Sequence, residues 1–129
     1  MPSSWSPSLR FELQFTGENI NLWGEKLNAV LAHADQAVAG WLTKPLTGNT
    51  ALATANAGDD EARAAMLKFT GGAGPFTVTL PAVSKSYLVW NACDGPVTLT
   101  TGAGATVSAD AGDIVQVLTD GGAVKTPGY

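Results

Sequence analysis

Residues 75–101 read PFTVTLPAVSKSYLVWNACDGPVTLTT, and this stretch decides the fold. It holds three short runs, 75–80 (PFTVTL), 86–92 (SYLVWNA) and 95–101 (GPVTLTT). Their β-branched and aromatic residues favour a pleated, half-buried surface. Asp94-Gly95 supplies the turn between the last two. The same texture continues outward on both sides. Further strand candidates are 50–54 (TALAT), 64–70 (AAMLKFT), 105–109 (ATVSA), 113–119 (DIVQVLT) and 122–126 (GAVKT). Turn residues separate them: Asn56-Ala57-Gly58-Asp59, Gly71-Gly72-Ala73-Gly74, Gly102-Ala103-Gly104, Asp110-Ala111-Gly112 and Asp120-Gly121-Gly122. Short strands at about ten-residue spacing predict a small antiparallel β-sandwich or jelly-roll-like domain over 46–129. A region of about 80 residues leaves a marginal core, which association with further copies would complete.

Upstream the pattern changes from period two to a helical one. Apolar residues fall at Ile20, Trp23, Leu27, Val30, Leu31, Ala34, Ala37, Val38 and Trp41. The steps 20, 23, 27, 30, 34, 37, 41 alternate between three and four, which is a coiled-coil seam. They predict one long, self-associating helix over 18–42, with Thr16 as its N-cap and Glu18 at the positive end of its dipole. The opposite face carries Glu25, Asn28, Ala32, Asp35, Gln36 and Ala39. Gly40 marks the helix end and Pro45 blocks continuation. The expected oligomerisation residues are therefore Ile20, Trp23, Leu27, Val30, Ala34, Ala37 and Trp41.

Before the helix, residues 1–8 (MPSSWSPS) read as an extended arm, and 9–15 (LRFELQF) alternate. Leu9, Phe11, Leu13 and Phe15 point one way; Arg10, Glu12 and Gln14 point the other. With Trp5, these four apolar residues are the expected anchor of the 1–17 segment to a larger assembly. The whole chain is thus read as α+β: arm, helix, β domain.

Composition narrows the function. Seven Lys and Arg face eleven Asp and Glu, and the net charge is −4. With no basic cluster to neutralise phosphates, a nucleic-acid partner is not expected. No apolar run approaches the roughly 20 residues that span a bilayer, so membrane insertion is not expected. Arg10, Glu12 and Gln14 interrupt the N-terminal apolar stretch, unlike a signal peptide. The single cysteine, Cys93, excludes an internal disulfide, and the single histidine, His33, lacks metal-ligand spacing. Asp59-Asp60-Glu61 reads as a solvated turn, and Asp110 and Asp113 as hairpin residues. Gly71-Gly72-Ala73-Gly74 lacks the ending of a phosphate loop. No catalytic, cofactor or metal site is expected.

Residues 16–24, TGENINLWG, open the helix after an apolar strand. They resemble the start of small tail-fibre-like and head-fibre-like structural proteins of tailed bacteriophages, in which such a phrase precedes a helix and a β region. The β region is also similar: Ala62-Arg63 before a strand, then Pro81, Tyr87, Val89, Asn91, Gly102, Gly104, Thr106 and Val107 at matching positions. The resemblance spans about residues 10–126. It implies a virion subunit assembled in a host cytoplasm, as a fibre, spike or decoration protein. It further implies a homotrimer, other virion proteins as partners, and a host-surface glycan as a ligand of an outward β domain. The alternative is a carbohydrate-binding β module without catalysis, using Tyr87 and Trp90. Those two differ by three along one strand and so face opposite sides.

Overall fold

The computed structural model describes residues 4–14, 22–54 and 60–126. Two sheets face each other. One is five-stranded, with order β11-β10-β7-β5-β3, and comprises β3 (Trp41–Leu46), β5 (Met66–Gly71), β7 (Ser84–Cys93), β10 (Ile114–Asp120) and β11 (Val124–Lys125). The other is four-stranded, with order β4-β6-β8-β9, and comprises β4 (Thr50–Ala51), β6 (Phe76–Thr79), β8 (Val97–Thr100) and β9 (Val107–Ala109). A separate two-stranded ribbon joins β1 (Ser4–Trp5) to β2 (Glu12–Leu13) in the arm.

The sandwich is present, and each of the eight runs read from the sequence contains a strand. The expected antiparallel arrangement is corrected. β3, β5 and β7 run parallel, and so do β4, β6 and β8. The reason is where the turns lead. Each short connection takes the chain across to the opposite sheet instead of reversing it beside its predecessor. The next strand of the same sheet therefore arrives after a full coil, travelling in the original direction. Trp41 lies beside Met66 and Met66 beside Leu88, so successive rungs take 25 and 22 residues. After β8 the path reverses. β9 and β10 add antiparallel to β8 and β7, and β11 closes the sheet as a hairpin.

Alternation then sorts the side chains. Leu67, Phe69, Tyr87, Val89, Val117, Val78, Val97 and Leu99 are at most 1% exposed and form one core between the sheets. Rung stacking is tight at the turns. The Asp94 amide donates to Gly72 O at 3.0 Å. A side chain at Gly95 would place its Cβ 1.8 Å from Ala73 O. Asn91, fully buried, ties three segments together. Its Nδ2 donates to Gly95 O and Ala109 O, both at 2.9 Å, and its Oδ1 accepts from the Cys93 amide at 2.9 Å.

The long coiled-coil helix is also corrected. Helix α1 spans Trp23–Ala39, 17 residues. Thr16, Glu18 and Ile20 lie outside the described residues. At the other end Gly40 is extended (φ −78°, ψ 144°), and a Cβ there would meet Gln36 O at 2.5 Å. The chain straightens at that point, so Trp41 begins β3 instead of ending the seam. The stretch 41–46 (WLTKPL) also alternates, with Leu46 buried and Leu42 half-buried. Pro45 is tolerated because β3 is an edge strand, where a missing N–H breaks no ladder.

Candidate functional site

Helix α1 buries none of its residues in its own chain. Trp23, Leu27, Leu31 and Val38 are between 42% and 81% exposed. At 100° per residue they fall within one quadrant of the helix. Of the expected seam, Trp23 and Leu27 belong to this open face, while Val30, Ala34 and Ala37 are half-buried toward the body. The open stripe is therefore rotated from the predicted one, and takes in Leu31 and Val38. Polar ties add to this partial apolar contact in holding the helix. Gln36 Nε2 donates to Asp60 O at 3.0 Å, and Gln36 O accepts from the Ala65 amide at 3.2 Å.

The outer face of the five-stranded sheet is a second open surface. Trp41, Leu88, Ile114 and Leu118 point outward and are 40% to 60% exposed. Register places Met66 between Trp41 and Leu88, and Trp90 beside Ile114. Lys68 lies over the Trp90 ring at 4.1 Å. The outer face of the four-stranded sheet is different. There Thr77, Thr98 and Ser108 form one row, and Thr79 and Thr100 the next. As parity requires, Tyr87 faces the core and Trp90 faces outward, so the two build no shared aromatic platform.

The arm is fastened to the body by charge. Arg10 (φ 59°) breaks the predicted 9–15 alternation and turns inward. Its guanidinium pairs with the buried Asp60, which also faces Arg63 at 3.7 Å. Arg63, fully buried in a 3₁₀ turn (Glu61–Arg63), donates through Nε to Leu9 O at 2.7 Å. Glu12 reaches Lys26 of α1 at 3.9 Å. Of the expected anchor residues, Leu9 and Phe11 are half-buried here, whereas Trp5 and Leu13 stay exposed. Phe15 lies outside the described residues. The solvated-turn reading of Asp60 and Glu61 is thus replaced. Asp60 is a buried counterion; Glu61 accepts from Lys44 Nζ at 2.7 Å and from the Ala53 amide at 2.8 Å. Burial raises the Glu61 pKa, but these two donors outweigh it, and the net shift is downward. Asp60 and Glu61 line a cleft with Gln36, Leu42 and Ala53, and both carboxylates are engaged by cations. The spacing of Asp60 and Arg63 by three was the available signal; their partner fifty residues away was not.

Beside this cluster Lys85 Nζ donates to Ala64 O at 3.0 Å, and Tyr87 Oη to Ala62 O at 2.6 Å. Burial, with the nearby Arg10 charge, lowers the Lys85 pKa to about 8. Burial raises that of Tyr87. Burial, with Asp94 alongside, also raises the Cys93 thiol. That keeps it protonated and a poor nucleophile at neutral pH. Among the described residues no group of three His, Cys, Asp or Glu could hold a metal ion, and no helix is long and apolar enough to cross a membrane. No family model matches the chain, and no curated protein or solved structure matches it significantly.

Proposed function

We propose that this chain is a structural subunit of a bacteriophage particle, a homotrimeric fibre, spike or decoration protein that displays its β body. The observation that supports this best is a 17-residue helix with an apolar stripe and no buried residue. A stripe of that size in water is a surface waiting for a protein partner. The threonine-lined outer face of the four-stranded sheet suits exposure to solvent. The reading places no chemistry on the subunit; its work is to associate and to be held. Trp5 and Leu13, exposed on the arm, are the residues that grip the particle. Leu9 and Phe11 belong to the subunit's own fold.

Native mass measurement of the purified chain tests the self-association. A trimer is expected at micromolar concentration, and Leu27→Asp is expected to return a folded monomer, because it puts an unpaired charge into a dry interface. A wild-type monomer overturns the reading. The anchor is tested separately with Trp5→Ser and Leu13→Ser. Both sites are exposed, so trimers should form yet fail to enter particles; normal incorporation would refute the anchor.

A further inference from the structure

Lys85 stands apart from the other lysines of the chain. Lys44 Nζ lies 2.7 Å from Glu61 and Lys26 Nζ 3.9 Å from Glu12. Lys68 rests on the Trp90 ring, and Lys125 is exposed. Among the described residues Lys85 has no carboxylate at salt-bridge distance. It precedes Tyr87 by two on β7, so both side chains rise on the inner side of that strand. The half-buried Lys85 donates through Nζ to Ala64 O at 3.0 Å and to Ser86 O at 3.2 Å. We propose that Lys85 is a modification site, at which the amine takes up carbon dioxide as a carbamate that faces Arg10. This goes beyond the structural role proposed above and does not depend on it.

Two observations support the site. First, two carbonyl acceptors match the two N–H groups of a neutral amine and leave its lone pair free, whereas an ammonium brings a third N–H. The Tyr87 ring, 4.1 Å from Nζ, favours the ammonium, as does the Asp60 charge. Burial and the Arg10 charge outweigh them and bring the amine's pKa down to about 8. Second, Arg10 holds an unused donor. The residue is 9% exposed. Its Nε donates to Asp60 and its Nη1 to Ser8 O at 2.9 Å, while Nη2 is buried without a hydrogen-bond partner. A buried donor left unmade is costly, and an anion is its best acceptor. Arg10 binds Asp60 and Lys85 binds Ala64, the two residues that flank the 3₁₀ turn Glu61–Arg63. At about 2 Å rise per residue those two backbone positions lie roughly 8 Å apart.

The reaction needs no further reagent. The Nζ lone pair forms a bond to the carbon of carbon dioxide, one C–O π pair moves onto oxygen, and the nitrogen gives a proton to water. Carbon dioxide is small and uncharged, so it enters a half-buried slot that bulkier electrophiles do not. The product keeps one N–H for Ala64 O and sets a carboxylate opposite Arg10 Nη2, a charge-assisted pair. Ser86 O, on the exposed side, turns to water.

The test uses the full chain in carbon-13-labelled bicarbonate near neutral pH, read by carbon NMR, with circular dichroism to check the fold of each variant. An α-amine also titrates near neutrality, so the assignment rests on the variants. The wild type should show a carbamate signal that Lys85→Met and Lys85→Arg both lack. Lys85→Arg keeps the charge and the donors yet forms no carbamate, so it separates the reaction from the fold. Arg10→Met should lower the Lys85 signal severalfold. In the wild type the carbamate carbon should show a nuclear Overhauser contact to the Arg10 guanidinium protons. If the spectra of the wild type and both Lys85 variants coincide, the amine takes up no carbon dioxide and the inference fails. If the signal is present but lacks the guanidinium contact, or keeps full strength in Arg10→Met, the carbamate does not face Arg10 and the inference fails as stated.

Discussion

The β body and helix α1 share one chain and opposite solutions to burial. In the body every second residue of the inner strands sinks into a common core, and several reach zero exposure. In the helix no residue does, although its apolar spacing is as regular as that of the strands. Periodicity reports which side of an element is apolar. Whether the same chain covers that side depends on the number of layers it builds, and among the described residues no layer covers the helix stripe. The body closes its own core, whereas the helix stripe and the outer face of the five-stranded sheet stay open.

Substitutions should separate the two regions by size of effect. Asn91→Leu should be the most damaging, because it strands the Cys93 amide and the carbonyls of Gly95 and Ala109 in the core. At roughly 1–3 kcal/mol for each unpaired group, a loss of about 3–5 kcal/mol is expected, read from the urea midpoint. A full-sized transition in this variant would show that the body does not depend on its buried clamp. Asp60→Asn comes next. It leaves Arg10 and Arg63 without their carboxylate and should cost about 3 kcal/mol, with the arm becoming open to proteolysis before the body does. Simultaneous loss of both would merge arm and body into one unit.

The pH response should be weaker and has a definite sign. The folded Lys85 pKa, about 8, lies below its ordinary 10.5. Between those values the unfolded chain holds the extra proton, so stability rises as pH climbs from about 8. Tyr87 acts in the opposite sense. Burial keeps its hydroxyl protonated in the fold, so above about pH 10, where an unfolded tyrosine ionises, stability falls. Cys93, whose thiol burial keeps protonated, acts like Tyr87, so between pH 7.5 and 9.5 the denaturation midpoint of the wild type should rise relative to that of Lys85→Met. Smallest of all is Leu31→Gln on the helix. In dilute monomer it should lie within about 0.5 kcal/mol of the wild type, while weakening assembly at micromolar concentration. A larger loss in the monomer would mean that the helix contributes to the body after all.

Much of the body is legible in the sequence. Phe76, Val78, Val97 and Leu99 sit in runs whose composition marks strands, and glycine or aspartate marks each turn. The parallel stacking was not legible, because a Gly-rich turn such as 71–74 reports that the chain bends and not which sheet receives it. β3 was hidden by Trp41, whose spacing from Trp23 also suits a helix; only Gly40 separates the two patterns. The Arg10 cluster was illegible for a different reason. Arg10 sat in an apparent strand, and its counterion is held in place by a turn fifty residues later.

The clasp between Arg10 and Asp60 has a consequence for binding. With the arm pinned before the helix and β3 paired after it, the segment that carries α1 is a loop closed at both ends, further tied through Lys26 and Gln36. The entropy of closing that loop is spent on folding, and grows only slowly with its length. A partner therefore meets a helix that is already oriented, and loses less freedom on contact than one that must catch a free arm. Opening the clasp would leave every apolar side chain of the stripe in place and still weaken the grip.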